Sequence, residues 1–125
     1  MKIYYAHCIA IYDTPQEQRD LNAIRALRDF FGATGKGIKI INPNAAEHHE
    51  GYKRGGIDYF RCLAASCDVV VFRALPDGAI PSGVAAEIRA AQQARKIIIE
   101  LPSAIARRTI DVNETREYLA EIGQR

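Results

Sequence analysis

The chain has 125 residues, of which 48% are hydrophobic and 26% charged, with a formal net charge of +2. That length suits one domain, residues 1–125, with a single sizeable core. The charge is too small to argue for a nucleic-acid or membrane partner, and the longest apolar runs are strand-sized, too short for a membrane span.

The pattern from Lys2 to Ala6, KIYYA, is β-branched and aromatic and predicts a first strand. A strand so early is not a signal peptide, and a cytoplasmic home is expected. The stretch 14-TPQE-17 predicts a helix start, with Thr14 as N-cap, Pro15 in the first turn and Glu17 completing a capping box. Leu21, Ile24, Leu27 and Phe31 continue at helical spacing, and Gly32, Gly35 and Gly37 end the helix. IKIINP (38–43) predicts a second strand. Residues 44–56 are polar and predict a loop with at most one helical turn. His48, His49, Lys53 and Arg54 in that loop read first as solvated groups.

IDYFRCLAASC (57–67) predicts a helix with Ile57, Phe60, Leu63 and Ala64 inward. DVVVFRA (68–74) is nearly all apolar and predicts a central strand. After the turn-rich 75–82, 82-SGVAAEIRAA-91 opens a helix running to about Ala94, with Ser82 as its N-cap. KIIIELP (96–102) predicts a fourth strand and RTI (108–110) a short fifth. The stretch 111-DVNE-114 repeats the capping-box signal ahead of a C-terminal helix of roughly ten residues. Cys8, Cys62 and Cys67 are odd in number and lack metal spacing, so they read as reduced, mostly buried thiols.

Such alternation predicts an α/β fold: a three-layer, Rossmann-like (flavodoxin-like) parallel sheet of four to five strands with helices on both faces. The expected strand order is 2-1-3-4-5. Ligands of such sheets sit beyond the carboxyl ends of the strands, at the switch in strand order. The groups that gather there are His7 to Tyr12, Asn42 to Asn44, Arg73 to Ser82, and Glu87 one turn deeper.

The segment after the first strand, AHCIAIYDT, has no G-x-G-x-x-G, and the chain has no Walker-type loop and no G-x-S-x-G elbow. The third strand ends Phe72-Arg73-Ala74 rather than in the aspartate of a phospho-receiver. No metal ligand set and no cofactor is expected. What stands out is Glu87. Its helical neighbours Gly83, Val84, Ala90 and Ala91 cannot pair with a carboxylate, so its partner comes from elsewhere in the fold or from a ligand. A carboxylate beside a partly apolar cleft suits chemistry through a sugar cation, which it can stabilise or attack as an N-glycosidic bond breaks.

The opening MKIYYA, the segment IINPN, and 58-DYFRCLAASCDVVVF-72 followed by 82-SGVAAEIRAA-91 resemble the nucleoside 2-deoxyribosyltransferase family and its 2-deoxynucleoside 5-phosphate N-hydrolase relatives. The resemblance covers roughly residues 1–101. It implies Glu87 as nucleophile and Asp58 as the helical aspartate that contacts substrate, orienting it or supplying a proton. It implies Ser82 and Gly83 near the phosphate-contacting serine of the hydrolases, and Asp77 as the base-reading carboxylate of the transferases. Tyr5, His7 and Tyr12 complete the expected substrate-binding set. Tyr5 reads first as core, Asp58 equally as a helix-start charge, and Arg73 and Asp77 first as a mutual pair. The glycine-rich, arginine-bearing phosphate loop of the hydrolases is absent; 7-HCIAIYDTPQEQR-19 stands in its place.

The expected activity is therefore cleavage or transfer at the N-glycosidic bond of a nucleoside or nucleotide. The partner is a small molecule, with neither nucleic acid nor membrane. The resemblance also implies a homodimer or higher homo-oligomer, and the small-residue face of 83–94 suits a close helix–helix contact. The alternatives are a non-catalytic module that senses a nucleotide or an ADP-ribose-type ligand, and a plain interaction scaffold.

Overall fold

Alternating side chains along short β-branched runs build the sheet of this computed structural model, which describes residues 1–30, 37–102 and 109–124. Strands β1 (Lys2–Ala6), β2 (Lys39–Ile41), β3 (Val69–Phe72) and β4 (Ile97–Glu100) are all parallel and lie in the order β2-β1-β3-β4. That is the expected order for these four strands. Of the fifth strand expected over 108–110, Arg108 lies outside the described residues, and Thr109 and Ile110 form no strand.

The two faces of the sheet bury different partners because successive strand residues point opposite ways. Ile3, Tyr5, Val69 and Val71 pack with Leu21 and Ile24 of α1 (Pro15–Phe30). Tyr4, Ala6, Val70 and Phe72 pack with Phe60 and Ala64 of α3 (Ile57–Ser66) and with Val84, Ile88 and Ala91 of α4 (Ser82–Gln93). Helices thus cover both faces, and the chain has the three-layer, flavodoxin-like α/β architecture. Within the chain, α4 makes a close contact with α3.

Residues 44–56 are more helical than a loop with one turn. A 3-10 turn over Ala46–His48 leads into α2 (His49–Gly55). Gly56 joins α2 to α3 at φ 59 and ψ −144, a conformation that side chains disfavour. His48 is buried rather than solvated, and the Tyr59 hydroxyl lies 2.8 Å from its Nδ1. Of the residues expected to end α1, Phe31, Gly32 and Gly35 lie outside the described residues; Gly37 sits just ahead of β2 with φ 71. Helix α5 (Val112–Glu121) begins as the capping signal predicts, with the Asp111 side chain accepting the Glu114 N–H at 2.8 Å. Among the cysteines only Cys67 is buried; Cys8 is half-buried and Cys62 exposed. Among the described residues no helix is long and apolar enough to cross a membrane, and no cluster of three metal-ligating side chains occurs.

Candidate functional site

The strand order reverses between β1 and β3, and a cavity of about 320 Å3 opens beyond the carboxyl ends of the strands there. Its walls come from the segment after β1 (His7, Cys8, Ile9, Tyr12), from Pro43 after β2, and from Tyr52, Ile57 and Phe60 of α2 and α3. The start of α4 closes it with Gly83, Val84 and Glu87. The lining is mostly apolar and aromatic.

Glu87 is the ionisable group this wall isolates. It is 5% exposed, one turn into α4, with Val84, Ile88 and Ala91 buried around it. Burial drives its pKa up to about 7, and the Tyr4 hydroxyl opposes that rise. The contact falls short of full hydrogen-bond geometry: Tyr4 Oη and Glu87 Oε2 are both buried without a partner among the described residues. A carboxylate oxygen so placed has no hydrogen-bond partner to satisfy it and little water to screen it. Burial, followed by the Glu87 charge, in turn holds the Tyr4 hydroxyl well above the ordinary phenol range.

Tyr12 is half-buried on the same wall. Burial, then Glu87 and Glu17, push its hydroxyl up to about 12. His7 borders the cavity, but its side chain is fully enclosed and both ring nitrogens are engaged, Nδ1 with the Tyr5 carbonyl at 3.0 Å and Nε2 with Glu17 at 2.8 Å. Gly83 lines the cavity at the first turn of α4.

The other expected site residues stand apart. Asp58 is exposed in the first turn of α3 and pairs with Arg61 at 3.2 Å, outside the cavity lining. Tyr5 points to the opposite face of the sheet, where its hydroxyl donates to Asp20 at 2.5 Å. Asp77 is exposed and accepts the Ala79 N–H at 2.9 Å, closing its own turn. Ser82 is exposed, and the N-cap of α4 is Pro81, which has no side-chain cap to offer. Arg73 does not pair with Asp77. It is buried against Asp20, with contacts of 2.6 and 3.0 Å, and it donates to the Pro102 carbonyl. At Thr14 the capping box is half made: Glu17 N–H reaches Thr14 Oγ1 at 3.4 Å, while the Glu17 carboxylate turns away toward His7.

Tyr4 and Tyr52 were not singled out by sequence. Tyr4 acts on Glu87, and only strand parity distinguishes it from its neighbour Tyr5. Tyr52 joins Ile57 and Phe60 of the expected α3 in the far wall because α2 stands where a loop was expected.

These features define a class: a flavodoxin-like α/β protein with one buried carboxylate in an apolar cleft at the switch point. No protein-family model matches the chain, and no curated protein matches it. Among solved structures, it resembles a 2-desoxiribosyltransferase from Leishmania mexicana, with a TM-score of 0.50 and 21% sequence identity over 80% of this chain. The match spans 63% of that protein's length. At this identity the likeness speaks for the fold.

Proposed function

We propose that the chain cleaves or transfers at the N-glycosidic bond of a nucleoside or nucleotide, with Glu87 as nucleophile or cation stabiliser. One observation carries the reading: a glutamate 5% exposed, with a free Oε2, on the wall of an apolar switch-point cavity. As the bond to the base breaks, positive charge grows on the anomeric carbon and ring oxygen. A nearly dry carboxylate interacts with that charge far more strongly than it would in water. The apolar and aromatic wall of Tyr12, Tyr52 and Phe60 suits a stacked base. The fold likeness to a 2-desoxiribosyltransferase supports the same chemistry.

A second reading, ligand binding without turnover, is favoured by the position of Asp58. The aspartate expected to orient substrate or supply a proton is exposed and bound to Arg61. Incubation with a panel of nucleosides, deoxynucleotides and NAD, followed by chromatography of free base, separates the two. Release of base supports the enzyme. Thermal stabilisation by a panel member without release supports the binding module.

A further inference from the structure

We propose that Glu17 is the positioning residue of the cavity wall built after β1, and that it holds His7 as a buried imidazolium. The argument is a count of donors and acceptors. His7 Nδ1 lies 3.0 Å from the Tyr5 carbonyl oxygen, which can only accept, so Nδ1 carries a proton. His7 Nε2 lies 2.8 Å from Glu17 Oε2. A neutral ring would then aim a lone pair at a carboxylate oxygen, and so close a contact needs a proton between them. The surroundings of Glu17 decide where that proton belongs. Glu17 Oε1 accepts the Asp13 N–H at 3.3 Å, and Asn44 Nδ2 donates to both carboxylate oxygens at 3.2 Å. Two donors, the Asp13 N–H and the Asn44 amide, favour the ionised carboxylate, so the proton resides on His7.

Burial, the largest influence, leaves the His7 pKa below the ordinary histidine value; Glu17, the Tyr5 carbonyl and Asp20 oppose that fall without reversing it, so the contact geometry carries the assignment. Asp20 is itself paired with Arg73. The Tyr5 ring stacks on the imidazole at 3.7 Å and 4°, and Tyr12 tilts against it at 4.9 Å, both within reach of a cation–π contact. Asp13 is exposed, Asn44 is neutral, and Glu87 faces the cavity from α4.

Through these bonds Glu17 gathers three separate pieces of backbone: the end of β1, the loop at Asp13, and the loop after β2 at Asn44. Asp13 sits at φ 61, a conformation held by its contacts with Glu17 and Asn44. The segment so held carries Cys8, Ile9 and Tyr12 into the cavity wall. Glu17 does not line the cavity itself and acts through His7 and Asn44.

The test needs no ligand, so its failure is distinct from failure of the proposed activity. The full chain is labelled with 15N-histidine and its ring nitrogens are read by NMR at pH 7. The expected result is two protonated nitrogens on His7 in the wild type. In Glu17→Gln the amide can donate to Nε2, and His7 becomes the neutral Nδ1–H tautomer. A neutral His7 in the wild type, or an unchanged His7 spectrum in Glu17→Gln, overturns the proposal. Alkylation by iodoacetamide supplies a second readout, with exposed Cys62 as internal reference. In Glu17→Ala the ratio of Cys8 to Cys62 labelling rises severalfold as the wall loosens; an unchanged ratio contradicts the positioning role.

Discussion

Glu87 makes opposing demands at the scale of one residue. The proposed reaction needs its carboxylate ionised, yet ionisation is what its surroundings resist. Folding raises its pKa from 4.5 to about 7. A carboxyl group whose proton is held more tightly in the folded state costs no stability below pH 4.5, and its cost grows as pH rises toward 7. The full cost is on the order of 3 kcal/mol. Glu87→Gln is therefore predicted to melt above the wild type at pH 8, with the advantage vanishing by about pH 4.5; equal melting curves at pH 8 contradict the burial argument. The Tyr4 hydroxyl lowers the pKa of Glu87. Tyr4→Phe should move the onset of base release to higher pH, and an onset at the wild-type pH would leave Tyr4 without that role.

At the scale of elements, buried polar contacts tie the helices to the sheet. Asp20 of α1 is 1% exposed and bound to Arg73 beyond the end of β3, to Tyr5 of β1 and to Gln16. Burial by itself raises its pKa, but the hydrogen bonds from Arg73, Tyr5 and Gln16 outweigh it and hold Asp20 below the ordinary carboxylate range. That contribution is complete at neutral pH and disappears as pH falls through the lowered value. Asp20→Ala strands the buried guanidinium and is predicted to cost about 3–5 kcal/mol in urea unfolding at pH 7. A loss under about 1 kcal/mol would mean Arg73 finds water instead. On the other face, a Cβ at Gly51 would overlap the Tyr59 ring, which seats α3 against α2. Gly51→Ala is predicted to displace that ring from His48 and to cost about 1–3 kcal/mol, read by thermal melting. The capping signal at Asp111 revealed α5, which has no buried residue, while hydrophobic period revealed α1, α3, α4 and all four strands, because each presents an apolar face. Hydrophobic period did not reveal α2: HEGYKRG has no buried residue to give it one.

For the whole molecule, the chain order of apolar runs was enough to read the layers; the strand order β2-β1-β3-β4 matches the expected one, but apolar runs alone do not encode which strands are neighbours. Nor were those runs enough to read the site in full. Glu87 was legible because a lone charge among small residues contradicts its own helix face. Asp58 and Asp77 lie outside the cavity lining, and a charge near a strand end or helix start is as well explained by Arg61 or by its own turn. Glu17 looked like a capping residue and is instead the partner of His7, a pairing ten residues apart that no local pattern contains. The account as a whole depends on the Glu87 anion acting on a sugar carbon. The most direct measurement is the rate of base release from a 2-deoxynucleoside panel by wild type and Glu87→Gln between pH 5 and 9. The prediction is a wild-type rate that climbs through about pH 7 and a variant slower by on the order of a thousandfold with no such climb. Base release by the variant at the wild-type rate, or none by the wild type with any member of the panel, contradicts it.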